Sequence, residues 1–313
     1  MGVKIRLFDA FIAPFVALAA LPMKAARMGP MRNMPLTKSI LMRAKIFPIV
    51  DHYYEPLFNP SHLSRDNEPR ALPGIDLELD RQVELVRQFE PAEALSRIPQ
   101  ADPGDGSFFI NNLNFEAGDA ELWFHVIRHF RPARIVEIGS GHSTRLARLA
   151  IAELERADPD YRCEHVCIEP YEMPWLEQLG VTVVREKVED VGEAVFAGLT
   201  RNDILFIDSS HIIRPEGDVL TEFLQILPRL APGVVVHVHD IFTPRDYPLA
   251  WLEHPRFWNE QYLLEAFLTH NEEWEVLIAA NQLMHERYEE LQRLCPHLDP
   301  AREPGSFYMR RRG

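Results

Sequence analysis

The chain predicts an α/β fold: a doubly wound, mostly parallel sheet with helices on both faces, preceded by a helical N-terminal extension. Three observations predict it. Short runs of β-branched and apolar residues recur between stretches of helical periodicity. The first of these, Arg134-Ile-Val-Glu-Ile138, runs straight into the glycine turn and helix start Gly139-Ser-Gly-His-Ser-Thr144. Polar residues also gather at the carboxyl ends of four such runs, the edge where open parallel sheets place their ligands.

Each element has its own reason. Ile135, Val136 and Ile138 suit a strand covered on both faces. Gly139 and Gly141 allow backbone shapes that other residues resist and leave room for a ligand. Ser143 and Thr144 serve as caps for a helix whose apolar positions Leu146, Leu149, Ala150 and Leu154 recur at helical spacing. Cys163–Ile168 is a second strand ending at Glu169, where a carboxylate can accept both ribose hydroxyls of an adenosine cofactor. Val181–Val184 is a third strand. Asp203–Ile207 is a fourth, ending in Asp208-Ser-Ser-His211, and Gly233–Val238 is a fifth, ending in His239-Asp240. Upstream, Leu79, Val83, Leu85 and Val86 form the buried stripe of a helix near 77–89.

The glycine turn alone is ambiguous. A dinucleotide fingerprint requires Gly or Ala where Thr144 stands, and a P-loop requires a lysine that the loop lacks. The combination of motifs narrows the choice. Val136-Glu-Ile-Gly-Ser-Gly-His-Ser-Thr144, Ile207-Asp-Ser-Ser-His211 and His239-Asp240 resemble the class I S-adenosylmethionine-dependent methyltransferases, over about residues 107–310. The resemblance implies a seven-stranded Rossmann-like sheet. Its last two strands, an antiparallel pair, would fall at Glu275–Ile278 and Ser306–Met309. It also implies a cofactor site of Glu137, Gly139, Ser140, Gly141, Ser143, Thr144, Glu169 and Asp208, with Glu189 or Asp190 near the adenine.

Methyl transfer is a displacement at a sulfonium methyl, so the cofactor supplies most of the driving force and the protein aligns and deprotonates the acceptor. The catalytic candidates are Asp208, His211, His239 and Asp240. Either histidine is suited to act as base, since imidazole titrates near neutrality. The alternative is a divalent cation, magnesium or manganese, that acidifies an acceptor hydroxyl. Relatives acting on sugars and other hydroxylated small molecules bind magnesium through acids at the ends of the fourth and fifth strands. Asp208 and Asp240 match two of those positions, and His239 replaces the third. That exchange suits manganese, or no metal, better than magnesium. Beyond the fifth strand, Ile241–Pro248, Trp251, Arg256, Trp258, Asn259, Glu260 and Tyr262 form an aromatic insert suited to roofing a sugar or phenol. The expected activity is O-methylation of a small molecule. The alternatives are N-methylation on the same fold, or a non-catalytic adenosine-cofactor-binding scaffold.

Composition bounds the rest. The 313 residues allow a substantial core, and a net charge of −14 argues against a nucleic-acid partner. Three cysteines, an odd number, suit a reducing cytoplasm, and Cys163, Cys167 and Cys295 read as small core residues. Charge is uneven. Residues 1–45 hold eight basic side chains (Lys4, Arg6, Lys24, Arg27, Arg32, Lys38, Arg43, Lys45) against Asp9, leaving about −21 elsewhere. Within this arm Ala10–Leu21 is almost wholly apolar, twelve residues being too few to span a bilayer. A signal peptide, suggested by Lys4, Arg6 and Ala17-Leu-Ala19, is opposed by Asp9. The arm suits docking on a membrane surface or a protein, or folding back on the chain's own core. The expected divisions are an arm (1–45), a connecting region (46–106) and a methyltransferase domain (107–313). The sequence leaves the oligomeric state open, a homo-oligomer included.

Overall fold

The computed structural model describes residues 3–29, 31–63, 66–171, 173–254 and 256–313. The side chain of Arg32, one of the eight basic groups of the arm, lies outside the described set. In chain order the helices are α1 (Val3–Met28), α2 (Pro35–Arg43), α3 (Leu79–Arg87), α4 (Glu93–Ser96), α5 (Asp119–Phe130), α6 (His142–Ala157), α7 (Ala194–Ala197), α8 (Asp218–Thr221), α9 (Leu249–Glu253), α10 (Glu260–Leu268), α11 (Ala280–Glu286) and α12 (Tyr288–Gln292). The strands are β1 (Arg134–Ile138), β2 (Glu164–Ile168), β3 (Thr182–Val184), β4 (Ile204–Ile207), β5 (Val235–Val238), β6 (Trp274–Ala279) and β7 (Phe307–Arg311). They form one sheet in the order β3-β2-β1-β4-β5-β7-β6. β1 to β5 run parallel, and β7 enters antiparallel between β5 and β6.

Period-two alternation divides the sheet into two apolar faces. Ile135, Ile204, Phe206, Val235 and Tyr308 point into a core shared with α3, α5 and α6, where Val83, Val86, Leu122, Trp123 and Ala147 are buried. Val136, Ile138, Leu205, Ile207, Val236 and Val238 point the other way, against Phe223, Leu227 and Leu264. Both faces are covered, which is why the central strands are apolar without interruption apart from a few buried polar groups.

The chain divides into two compact units, one of Met1–Arg65 with Ala250–Phe257 and one of Asp66–Leu249 with Trp258–Gly313. The expected divisions at 45/46 and 106/107 do not coincide with this boundary. Residues 66–106 belong to the larger unit because Val83, Val86, Leu95 and Ile98 are part of its core. The apolar run of the arm is likewise longer than the twelve residues expected. It lies inside the 26-residue helix α1, which is long and apolar enough by length and composition to cross a membrane.

Candidate active site

The site is assembled by continuing the parallel ladder one residue past each strand. Gly139 N–H donates to the Ile168 carbonyl at 3.0 Å, Asp208 N–H to Ile138 at 2.8 Å, and His239 N–H to Ile207 at 2.9 Å. The ends of β1, β2, β4 and β5 are thereby held side by side. Gly139 has φ 77°, and a Cβ there would lie 1.7 Å from the Asp208 carbonyl oxygen, so no other residue fits. Past the turn, Gly141 N–H donates to Thr144 Oγ1 at 3.1 Å, closing the first turn of α6.

A cleft of about 980 Å³ opens over this edge. Gly139, Ser140, Gly141, Ser143, Glu169 and Asp208 line it, as the sequence led us to expect, and Glu189 joins them where Asp190 does not. Lys187, Met173 and Trp258 also line it.

Two expected cofactor residues lie elsewhere. Glu137 and Thr144 are fully buried and absent from the cleft wall. Glu137 alternates with Val136 and Ile138, so its side chain enters the α6 side of the sheet. There Thr144 Oγ1 donates to it at 2.5 Å, and His165 Nε2 and Cys167 Sγ approach to 3.3 and 3.6 Å. These two residues tie the glycine turn to the core.

Next to the glycine turn, Asp208, His211 and Asp240 converge, with one ligand atom from each lying within 4.8 Å of the others; Asp208 and His211 belong to the cleft wall and Asp240 does not. His211 Nε2 is 3.2 Å from Asp208 Oδ1 and 3.5 Å from Asp240 Oδ2. Its Nδ1 is held at 2.8 Å by Glu260 Oε2, which fixes the ring and directs Nε2 at the two aspartates. Trp258 packs on the ring with centroids 4.5 Å apart. His211 and Asp240 both sit at positive φ, 60° and 56°, as do nine other described non-glycine residues along the chain.

The metal-ligand set expected from sequence, Asp208, His239 and Asp240, is therefore corrected: the histidine grouped with the two aspartates is His211. His239 follows the pleat of β5. Its ring lies 3.3 Å from His237 and 5.1 Å from the Phe115 ring, and its Nε2 is 3.7 Å from Asp240 Oδ1.

Charge follows this geometry. Burial alone would lower the basicity of His211, but its hydrogen bonds to the Asp208 and Glu260 carboxylates and the charges of Glu260 and Asp240 hold its pKa well above the ordinary value. Burial would raise Asp208, but the charge of His239 and the His211 contact hold it below the usual carboxylate range. His239 is opposed by burial and raised by Asp240, Asp208 and Asp119. His237, two residues earlier, stacks on Phe206 at 4.2 Å and is pushed far down by burial and then by His239. Glu222, which accepts from Ser209 Oγ at 3.1 Å, is raised well above normal by burial and by Glu260 and Asp218.

Sequence reasoning placed Glu260 only in a roofing insert. Its role as the orienting partner of His211 came from a contact 49 residues away in the chain. The available signal was Asn259 ahead of a helical run: Asn259 and Glu260 N–H groups both donate to the His211 carbonyl, at 2.9 and 3.2 Å, and so bring α10 to the loop.

Residues 136–241, spanning β1 through the end of β5, match the family model described as a methyltransferase domain. Over that stretch the chain carries a methyltransferase domain. An uncharacterized protein of Archaeoglobus fulgidus is 29% identical over 174 residues, 51% of this chain and 76% of that one. Among solved structures, a putative methyltransferase from Thermobifida fusca is 12% identical with a TM-score of 0.37, covering 80% of this chain and 97% of that one. MycE methyltransferase from the mycinamycin biosynthetic pathway, solved in complex with Mg and SAH, is 17% identical with a TM-score of 0.33. That alignment covers 61% of this chain, which spans about half (49%) of MycE's length. The methyltransferase domain thus has its glycine turn and its acid–histidine cluster on neighbouring strand ends.

Proposed function

We propose that the methyltransferase domain methylates a hydroxyl group of a small molecule, a sugar or a phenol, at the Asp208–His211–Asp240 cluster. The convergence of these three side chains beside the glycine turn carries the reading. A nitrogen acceptor of amine type already offers a lone pair once neutral, whereas a hydroxyl must lose its proton as it attacks. A site with two carboxylates and an oriented imidazole suits the second task.

The donor set also fits a divalent cation. Two carboxylate oxygens and one imidazole nitrogen match manganese or a similar ion better than magnesium, which prefers oxygen throughout. The raised His211 and lowered Asp208 show that a proton on the imidazole is held by the carboxylates, and a cation bound there would have to displace it. Asp208, His211 Nε2 and Asp240 would hold the ion, and its chemistry there would be to lower the pKa of the acceptor hydroxyl. Glu260 keeps Nε2 aimed at the cluster, and Trp258 offers an aromatic wall against which a ring-shaped acceptor can stack.

Along the cleft wall, we infer that Gly139, Ser140, Gly141 and Ser143 receive the methionine part of the cofactor and Glu169 the ribose. The small residues of the turn support this by leaving the backbone open to a ligand. Cys163, Cys167 and Cys295 are all free thiols, in keeping with a cytoplasmic catalytic domain.

The test is methyl transfer from isotopically labelled S-adenosylmethionine to a panel of sugars, phenols and amines, with products identified by mass spectrometry. O-methyl products are expected. Products methylated only on nitrogen would overturn the hydroxyl reading, and failure to bind the cofactor in calorimetry would favour a scaffold.

A further inference from the structure

We propose that α1 inserts into a lipid bilayer bearing anionic headgroups and anchors the chain there. The inference concerns the smaller unit alone and does not depend on which acceptor is methylated. The helix runs 26 residues, and its most apolar 18-residue window has mean hydropathy 1.7 with none of it buried. Phe8, Phe11, Phe15, Val16, Leu18 and Leu21 are each more than half exposed. Successive residues of a helix are 100° apart, so these side chains span roughly 220° of its circumference, and the remaining arc is filled by Ala10, Ala13, Ala17 and Ala20 between the charged groups at either end, leaving no polar side along residues 10–23. A protein surface or a second copy would shield one stripe of such a helix. A bilayer shields every side at once.

Length and charge agree. Twenty-six residues extend about 39 Å, enough for a hydrocarbon core of about 30 Å with its interfaces. The stretch between Arg6 and Lys24 is about 26 Å, and long basic side chains at both ends can reach outward to lipid headgroups. Asp9 lies near one end, where contact with the interface is least costly. Pro14 and Pro22 lie within the helix, as prolines do in membrane helices more often than in soluble ones.

The segment after the helix is built for the interface. Arg27 Nε donates to Glu55 Oε1 at 2.5 Å, and the Arg27 guanidinium lies 4.8 Å from the Phe47 ring centroid. These contacts hold residues 47–55 at the C-terminal end of α1, where Tyr53 and Tyr54 are 90% and 84% exposed. Tyrosines beside basic groups are characteristic of the headgroup level. Lys24, Arg27, Lys38, Arg43 and Lys45 follow or close the helix, against Lys4 and Arg6 at its start. This asymmetry leaves the following chain on the cytoplasmic side.

The test is flotation of the full-length chain with vesicles of phosphatidylglycerol in a neutral lipid, followed by alkaline carbonate extraction and intact mass of the recovered protein. The expected result is co-flotation that resists carbonate, with residues 3–28 retained. In the triple variant Phe11→Glu, Phe15→Glu, Leu18→Glu the floated fraction should fall by more than about tenfold. These side chains are exposed, so the variant keeps the wild-type thermal unfolding midpoint in detergent-free buffer. The proposal is overturned if the wild-type chain stays unfloated, if carbonate releases it, if the variant floats equally well, or if the mass shows the helix removed by cleavage.

Discussion

Two clusters of acid and histidine lie on either side of the Gly139 turn, and their contrast shows how one set of residue types yields different chemistry. Glu137, His165 and Cys167 are sealed between β1, β2 and α6, with no route to solvent in their own surroundings. Asp208, His211 and Asp240 stand past the strand ends, where side-chain exposures are 32%, 7% and 18% and Asp208 and His211 face the cleft. In the first cluster the Glu137 carboxylate is occupied by Thr144 and fixes a turn. In the second, Glu260 occupies only the back of the imidazole and leaves the front for chemistry. Position along the strand, inside the sheet or past its carboxyl edge, separates a brace from the proposed reactive centre.

Changing the open cluster should affect rate far more than stability. Asp240→Asn is expected to lower methyl transfer by about 10²–10⁴-fold, the range for losing a group that acts on a transferred proton. Its urea midpoint should stay near that of the wild type, because Asp240 is not part of the core. Steady-state rates alongside denaturation curves check both halves, and a variant that is fully active breaks the contrast.

Next in size is the hinge between the clusters. Gly139→Ala places a methyl against the Asp208 carbonyl, which is backbone and cannot turn aside. We expect destabilisation of about 3 kcal/mol, with weaker cofactor binding, measurable by chemical denaturation and calorimetry. The sealed cluster should give the mirror image of Asp240. Glu137→Gln removes the charge that Thr144 and His165 face, and is expected to cost about 1–3 kcal/mol of stability while leaving turnover within a few-fold. A large loss of turnover with unchanged stability would place Glu137 among the reacting groups.

The smallest effect concerns a histidine remote from both clusters. His125 is buried, with Nε2 3.0 Å from the Leu294 carbonyl, and burial lowers its pKa to about 4. A histidine depressed in the folded state favours folding above its unfolded pKa of about 6.5 and loses that contribution as pH falls toward 4. His125→Asn should flatten the decline of the denaturation midpoint between those pH values. An unchanged slope would show that other groups carry the acid sensitivity.

These contrasts mark what was legible in the sequence. The strands were readable because a sheet covered on both faces demands β-branched runs, and the polar residues just beyond them stood out against that background. The direction of a single side chain was harder. Glu137 belongs to the glycine motif by position, yet the pleat turns it toward α6, and with both faces buried nothing in the local pattern marks which side it takes. His239 precedes Asp240 in the chain, but strand geometry aims it at His237 and Phe115. His211 reaches the aspartates from a loop at φ 60°, held by Glu260. Both corrections depend on contacts across the sheet or between distant segments, which spacing alone does not encode. The continuation of the apolar arm into a 26-residue helix was likewise obscured by Asp9, Lys4 and Arg6, charges that read locally as an end.

The central claim is that the open cluster, completed by His211, is the reacting end of the cleft and takes a divalent cation. Its most direct test is methyl transfer by chelator-treated protein, restored with manganese or magnesium, for the wild type and His211→Gln side by side. The account predicts that the wild type loses activity in chelator and regains it with added metal, whereas His211→Gln requires a much higher metal concentration. Full wild-type activity in chelator, or identical metal dependence in the two proteins, would contradict it.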